Sequence, residues 1–276
     1  MGGLTETSWR VPWVWRLLLF VSPAVAFPFC RLRVCGTVPE QLRRGPLIVA
    51  ANHVSPVDPL VLTAACRRVG LAPRFLATGG IFRAPLVGAV MRRSGHIRVD
   101  RWTARVAQAL PDAAAALRAG SVVLVYPEGR IGLDPWMWPE RGKTGVARMA
   151  ALSGAPVLPV AQWGAHEVLP YMSPKRIVVS LLKAAVHRPV VWVRFGDPVD
   201  LSGVTGSAGA QAVRATQLII EAIDGTLVPL RPDEPRLPRF VDRTRPVDMS
   251  RVRRRREHSA DGPDRPSGAC SDDGRR

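Results

Sequence analysis

The segment from Asn52 to Asp58 places a histidine and an aspartate five positions apart, between an apolar run and the start of a helical pattern. Histidine titrates near neutral pH, so His53 at such a junction can take a proton from an alcohol as the alcohol oxygen attacks a carbonyl carbon. Asp58, bound to the other ring nitrogen, would fix the tautomer and stabilise the imidazolium. Because Asp58 precedes Pro59, it is also predicted to cap the N-terminus of the helix that follows.

A second candidate block stands at the end of another apolar run and reads Tyr-Pro-Glu-Gly-Arg, residues 126–130. The run predicts a buried strand, and Pro-Glu-Gly after it predicts a tight turn with exposed backbone donors. Glu128 and Arg130 supply an acidic and a basic side chain at this turn. Sites in α/β proteins form where strands end, so this block strengthens the assignment of His53.

The elements that must position these blocks follow from the apolar pattern. Apolar runs bounded by glycine and proline predict strands at 47–51, 74–77, 97–99, 121–126, 157–161, 177–182 and 190–195. Helices are predicted at 102–118, 142–152 and 208–223. Strands that alternate with helices indicate an α/β fold, here a mixed, largely parallel sheet flanked by helices.

The two blocks resemble those of the glycerolipid acyltransferase family, typified by 1-acylglycerol-3-phosphate acyltransferases, in which Asn-His-x4-Asp precedes Phe-Pro-Glu-Gly-Thr. Two further blocks match in the same order: Gly-x-Ile-x-Val-x-Arg at 95–101 and Val-Leu-Pro-Val at 157–160. Together the four blocks cover about 46–164. The chain departs from the family at Arg130 and Ile131, where the family usually has threonine and arginine.

The resemblance implies transfer of an acyl chain from acyl-CoA or acyl carrier protein to 1-acylglycerol-3-phosphate, which makes phosphatidic acid in phospholipid biosynthesis. Matched residue by residue, His53 and Asp58 are the expected catalytic residues. The expected substrate-binding residues are Arg101, Glu128, Gly129, Arg130 and Lys143, the last two as replacements for the missing arginine after Gly129. The reaction needs no metal or redox cofactor, and the cysteines and histidines show no metal-ligand spacing.

Two alternatives stay open on sequence alone. The acceptor could be another lysophospholipid or a glycolipid, because the altered turn at Arg130 is where headgroup choice should reside. The chain could also be an inactive, basic membrane-binding or nucleic-acid-binding relative. A nucleotide-binding P-loop at Gly142 is excluded because Met137 stands where that motif needs glycine. A serine hydrolase is disfavoured because no serine lies in Gly-x-Ser-x-Gly.

Composition favours one catalytic domain with an anionic partner. The chain has 276 residues, is 47% hydrophobic and carries a net charge of +17. Almost all of its basic residues are arginine, so part of the charge reflects composition. We expect anionic membrane lipids, an acyl thioester donor and a lysophospholipid acceptor as partners, and no specific nucleic acid.

The chain is predicted to divide into a membrane-interface segment at 1–35, an acyltransferase domain at 36–229 and a disordered Arg/Pro/Asp-rich tail at 230–276. The first segment carries Trp9, Trp13, Trp15 and Phe20, but prolines interrupt it and its unbroken apolar part is too short to span a bilayer. It is predicted to lie at the interface, or alternatively to pack on the core. The expected location is the cytoplasmic face of the cell membrane, peripheral or monotopic.

Overall fold

The structure is a computed structural model that describes residues 9–100, 106–171 and 176–231. Within this part of the chain, seven strands form one sheet: β1 (Arg31–Cys35), β2 (Leu47–Ala51), β3 (Arg74–Thr78), β4 (Ile97–Val99), β5 (Val122–Val125), β6 (Val157–Trp163) and β7 (Val190–Phe195). Their order is β1-β7-β6-β2-β5-β3-β4, and the β6–β7 pair is antiparallel while the other pairs are parallel. The predicted mixed, largely parallel sheet is confirmed.

Helices cover both faces of the sheet. They are α1 (Trp13–Ala26), α2 (Glu40–Arg43), α3 (Asp58–Arg68), α4 (Gly79–Arg83), α5 (Pro85–Arg93), α6 (Val106–Arg118), α7 (Gly145–Ser153), α8 (Ala165–Val168), α9 (Ile177–His187) and α10 (Ala208–Leu227), followed by a 3-10 turn at Val228–Leu230. In the central strand β2, Leu47 and Val49 pack toward α1 and α3, whereas Ile48 and Ala50 pack toward α6, α7 and α10. Successive strand residues point to opposite faces, so a strand covered on both sides is apolar throughout.

One predicted strand is wrong: residues 177–182 begin helix α9. The run is rich in valine and isoleucine, which favour strands, and a short apolar run alone does not distinguish a strand from a helix. In the structure Ala184 is the buried residue of α9, while Val178, Leu182 and Val186 are exposed at helical spacing. The helix therefore packs one narrow face on the protein and leaves an apolar face outside.

The structure shows ordered elements next to both predicted domain boundaries. Residues 31–35, placed in the interface segment by sequence, form β1 and pair with β7, because their alternating arginines and apolar residues suit a half-buried edge strand. At the other end, Leu230 and Arg231 are buried, and the Arg231 guanidinium lies 4.0 Å from the ring centroid of Trp138. The rest of the predicted tail, residues 232–276, lies outside the described residues.

Helix α1 shows how the N-terminal segment is anchored. Trp15 and Leu19 are buried in the same core as β2, whereas Trp13, Leu17 and Phe20 on the opposite side are exposed. The two faces correspond to the two sequence expectations, core packing and an apolar outer surface. No helix in the described part of the chain is long and apolar enough to cross a membrane.

Candidate functional site

The two motif blocks meet at the ends of adjacent parallel strands. β2 and β5 pair directly, with Ala50 opposite Val125, and the loops that follow them leave the sheet at the same edge. The helix after β2, α3, packs on one face of the sheet, and the helix after the β5 loop, α7, packs on the other. In open α/β sheets, the place where neighbouring loops diverge in this way is the usual position of a ligand-binding crevice.

His53 and Asp58 form a direct pair at this edge of the sheet. The Nδ1 atom of His53 lies 2.7 Å from Oδ2 of Asp58, and the histidine side chain is 15% exposed while that of Asp58 is fully buried. A carboxylate at this distance accepts a hydrogen bond from Nδ1–H, which leaves the lone pair on Nε2. His53 is therefore oriented to accept a proton through Nε2.

Backbone amides hold the Asp58 carboxylate. The amides of Val54 and Ser55 donate to Oδ2 at 2.6 and 2.9 Å. Burial raises the pKa of Asp58, while the hydrogen bonds from His53 and these two amides act in the opposite direction. The predicted capping role is wrong: Asp58 is the first residue of α3, and its side chain binds amides of the preceding turn rather than those of the helix.

Asn52 fixes the end of β2 through a reciprocal pair with Gln162 on β6. The Asn52 side chain donates to the Gln162 carbonyl at 3.0 Å and accepts from the Gln162 amide at 2.8 Å. The Gln162 side chain donates to the Asn52 carbonyl at 2.9 Å, and both residues are buried. The residue before His53 is thus held by three hydrogen bonds to one partner. Sequence analysis matched Asn52 to a motif but did not identify Gln162, which no local signal distinguishes.

Glu128 holds the backbone of His53 from the neighbouring turn. Its Oε1 accepts from the His53 amide at 3.1 Å, and its Oε2 accepts from the Glu140 amide at 2.9 Å. The His53 carbonyl in turn accepts from the amide of Gly132 at 2.8 Å. Only 3% of Glu128 is exposed, and burial raises its pKa to about 8 against the opposing effect of these amide bonds. Both carboxylate oxygens are therefore engaged by backbone.

Two basic residues lie at the turn of the second block, Arg130 within it and Lys143 beyond it, and their surroundings differ. Gly129 has a φ of +71°, and the Lys143 side chain crosses it so closely that a Cβ at this position would lie 3.4 Å from Nζ. The Lys143 amide also donates to the Pro127 carbonyl at 2.8 Å. Arg130, in contrast, forms an ion pair with Glu140 at 2.9 Å. Lys143 thus brings a positive charge to the turn, whereas the charge of Arg130 is partly offset.

Tyr126 packs against the imidazole ring of His53. Its ring stacks on that of His53, with centroids 4.0 Å apart and an interplanar angle of 13°. Burial raises the pKa of Tyr126 well above its ordinary value, and its hydroxyl has no hydrogen-bond partner among the described residues. Sequence analysis assigned Tyr126 no role, although an aromatic residue directly before Pro127 was the available signal.

Replacement of Tyr126 tests whether the ring alone matters. Tyr126→Phe keeps the stacked ring and removes a buried unpaired hydroxyl, so we expect an equal or higher melting temperature and turnover within about twofold of wild type. Tyr126→Leu removes the stacking and is expected to lower turnover about tenfold. Thermal melts and initial rates on the same preparations provide the measurement. Equal damage by both substitutions would instead assign a role to the hydroxyl.

One predicted site residue, Arg101, lies outside the described residues. The other six, His53, Asp58, Glu128, Gly129, Arg130 and Lys143, all lie in the two loops after β2 and β5 or directly beyond them. No group of three or more histidine, cysteine, aspartate or glutamate side chains in the described ranges is placed to hold a metal ion.

Known proteins share sequence with the part of the chain that carries both motif blocks. Residues 33–163 match the Acyltransferase family, a range that runs from β1 to the end of β6. A chloroplastic 1-acyl-sn-glycerol-3-phosphate acyltransferase of Brassica napus is 25% identical over 176 residues, which cover 63% of this chain and 48% of the relative. The lyso-ornithine lipid O-acyltransferase of Rhizobium meliloti is 34% identical over 100 residues, which cover 36% of this chain and 32% of the relative.

Among solved structures, the 1-acyl-sn-glycerophosphate acyltransferase from Thermotoga maritima superimposes with a TM-score of 0.57 and 21% sequence identity. The match covers 76% of this chain and 78% of that one, which establishes a common fold. The chain spans about half the length of the first curated relatives it matches.

Proposed function

We propose that this chain, whose residues 33–163 match the Acyltransferase family, transfers an acyl group from a thioester to the hydroxyl of 1-acylglycerol-3-phosphate. The observation that carries the proposal is the His53–Asp58 pair at 2.7 Å, set in the crevice between β2 and β5. The donor is acyl-CoA or acyl carrier protein, and the product is phosphatidic acid.

The chemical step uses the histidine as a general base. Nε2 of His53 takes the proton of the acceptor hydroxyl as its oxygen bonds to the thioester carbonyl carbon. The resulting imidazolium is stabilised by Asp58, whose carboxylate is already bound to Nδ1. When the carbon–sulfur bond breaks, the proton passes to the departing thiolate. The acyl group goes directly to the acceptor, so no covalent acyl-enzyme and no added cofactor are required.

The acceptor phosphate is proposed to bind beside the catalytic pair, at the turn of residues 128–130. Lys143 crosses Gly129 and places its ammonium group at this turn. An ammonium group is a compact donor that suits a phosphate oxygen. Arg130 belongs to the same turn, but its pairing with Glu140 reduces the charge that it can offer. We therefore assign Lys143 as the main phosphate-binding residue.

A second acceptor class has its own support. The reduced charge at Arg130 suits a headgroup with less negative charge than a phosphate monoester. The relative from Rhizobium meliloti is named for a lyso-ornithine lipid. An acceptor of that kind would use the same His53 base with a different headgroup contact. The choice between the two acceptors is open to direct experiment.

The enzyme is proposed to work as a peripheral or monotopic protein at the cytoplasmic face of the membrane. The acceptor and product are bilayer lipids, so the crevice must meet a membrane surface. Exposed apolar side chains on α1, including Trp13 and Phe20, support attachment through this helix.

The proposed reaction can be tested by following thiol release from acyl-CoA with purified protein and a panel of lysolipids. We expect release that depends on 1-acylglycerol-3-phosphate, with formation of phosphatidic acid. Preference for an acceptor without a phosphate monoester would establish the second acceptor class. Binding of lipid without any thiol release, from either acyl-CoA or acyl carrier protein, would overturn the enzymatic proposal.

Lys143→Gln is expected to separate acceptor binding from catalysis. Removal of one charged hydrogen bond should raise the KM for 1-acylglycerol-3-phosphate about tenfold and leave kcat nearly unchanged. The matched control is Arg148→Gln, which removes an equal charge from the exposed side of α7. If both variants change KM equally, general electrostatics rather than a defined contact is responsible.

A further inference from the structure

A pocket of about 230 Å3 opens where the C-terminal end of α1 meets β1, and it shares no lining residue with the His53 site. Its apolar part includes Pro23, Ala26 and Phe27. Arginines from three separate parts of the chain complete the lining: Arg31, Arg33, Arg68 and Arg188. None of the described residues that line it is an aspartate or glutamate. We refer to it as the arginine pocket.

Backbone carbonyls hold three of these arginines in place. Arg31 donates through Nε to the carbonyl of Arg188 at 3.0 Å, and Arg188 donates through Nε to that of Phe27 at 3.0 Å. Arg68 donates through Nη1 to the carbonyl of Leu32 at 3.2 Å. A carbonyl uses one guanidinium donor without neutralising the charge, and each guanidinium has five donors. These carbonyl bonds thus fix the positions of Arg31, Arg68 and Arg188 without neutralising their charge, and each uses only one of the five donors.

The arrangement of these arginines favours a phosphate group in particular. Guanidinium groups bind phosphate oxygens in pairs through parallel hydrogen bonds. Arginines that line one pocket without an acidic side chain among them concentrate positive charge there, and a bound anion would offset that charge. Arg188 adopts a left-handed backbone with a φ of +44°, unusual for a residue other than glycine, and its guanidinium lies 4.1 Å from the Phe27 ring centroid.

The surface around the pocket is apolar. Trp13, Leu17 and Phe20 lie at helical spacing along the exposed side of α1, and Phe27, which lines the pocket directly after the helix, is 65% exposed. Helix α9 ends at His187, directly before Arg188, and its exposed apolar residues end with Val186, of which 79% is exposed. Large exposed apolar side chains beside arginines are typical of a surface that lies in the headgroup region of a bilayer.

We propose that the arginine pocket binds the phosphate of an anionic phospholipid in the bilayer on which the outer faces of α1 and α9 rest. The ligand is a lipid rather than free phosphate, because the apolar lining and the two helix faces suit the glycerol and acyl portions of the same molecule. This inference rests on the proposed membrane location. It adds a headgroup site that is distinct from the acceptor site at His53.

The test is binding of the full chain to vesicles of phosphatidylcholine with and without phosphatidylglycerol. The double variant Arg31→Gln/Arg68→Gln is expected to bind anionic vesicles at least about tenfold more weakly than wild type. Its affinity for neutral vesicles should equal that of wild type. The matched control is Arg118→Gln/Arg214→Gln, which removes the same charge from exposed positions on α6 and α10. This control should lose at most about twofold, because charges beyond a Debye length of the surface are screened.

A charge-preserving variant keeps the test decisive if the double variant does not fold. Arg68→Lys retains the charge but loses the paired donors, so its affinity for anionic vesicles should also fall severalfold. Equal losses in the pocket and control variants, with Arg68→Lys unaffected, would overturn the defined site in favour of general electrostatics. Stabilisation of wild type by inorganic phosphate that disappears in Arg68→Lys would overturn the lipid assignment.

The membrane location and the catalytic proposal are tested separately by the same preparations. Failure of wild type to bind either vesicle would remove the proposed location and the lipid site together. Loss of vesicle binding would not affect the proposed reaction. Vesicle binding involves no turnover, and acyl transfer is measured with a dispersed acceptor.

Discussion

Replacement of His53 by alanine is expected to lower turnover by about two to four orders of magnitude, the usual contribution of a general base. The acceptor hydroxyl then has no group to receive its proton, because Asp58 is fully buried and cannot reach it in place of the imidazole. Binding of donor and acceptor should change little, so the loss should appear in kcat. Single-turnover rates with acyl-CoA and 1-acylglycerol-3-phosphate provide the measurement.

Asp58→Asn offers an internal control for this result. The amide cannot stabilise the imidazolium as a carboxylate does, so turnover should fall with little change in KM. Residues that act as a unit are not additive, and the double variant His53→Ala/Asp58→Asn should be no slower than His53→Ala alone. Thermal melts must accompany the rates, because Asp58 also binds the amides of Val54 and Ser55. Folded His53→Ala protein with wild-type turnover would end the proposed mechanism.

The contact between His53 and Asp58 could be predicted because its geometry is local. His53 and Asp58 lie five positions apart at the junction of β2 and α3, so one turn of chain sets their contact. Strands β2 and β5 could also be predicted from local sequence, because a strand covered on both faces is a continuous apolar run. These features required no knowledge of distant neighbours.

What sequence analysis missed depends on distant parts of the chain. Edge strand β1 has alternating arginines, and only its pairing with β7 reveals it as a strand. Arg130 loses part of its charge to Glu140 because the loop turns back on itself. The arginine pocket combines side chains at 31, 33, 68 and 188, which no local pattern connects. Tertiary contacts decided each of these outcomes, and local propensity did not.

Glu128 is the residue for which resemblance and geometry suggest different roles. The family resemblance implies contact with substrate, yet both carboxylate oxygens accept hydrogen bonds from backbone amides, those of His53 and Glu140. A carboxylate in that position acts through the residue it holds. We therefore expect Glu128→Gln to lower kcat about ten- to a hundredfold, through displacement of the His53 backbone, with little change in the acceptor KM.

The same substitution should alter the pH dependence of folding. Burial raises the pKa of Glu128 from 4.5 to about 8, so between these values the folded protein holds a proton that the unfolded chain has released. Its contribution to the free energy of unfolding is therefore full below pH 4.5 and decreases as pH rises toward 8, by up to about 1.4 kcal/mol per pH unit. Glutamine does not titrate, so residue 128 in Glu128→Gln should not contribute this decrease in the free energy of unfolding.

Urea unfolding of wild type and Glu128→Gln at several pH values within this window provides the measurement. In Glu128→Gln, one of the two backbone amides that donate to the side chain faces an NH2 group instead of an oxygen. The lost hydrogen bond should lower the free energy of unfolding by about 1–3 kcal/mol at every pH. The variant should therefore be clearly less stable than wild type at low pH, and the difference should narrow as pH rises. Glu140→Gln is the matched control, because it keeps the backbone amide but removes a negative charge that raises the pKa of Glu128. In Glu140→Gln the pKa of Glu128 should be lower, so the decrease in the free energy of unfolding should end at a lower pH than in wild type. A stability difference that stays constant with pH, together with a raised acceptor KM, would show that Glu128 is ionised and contacts the substrate, as the family resemblance implies.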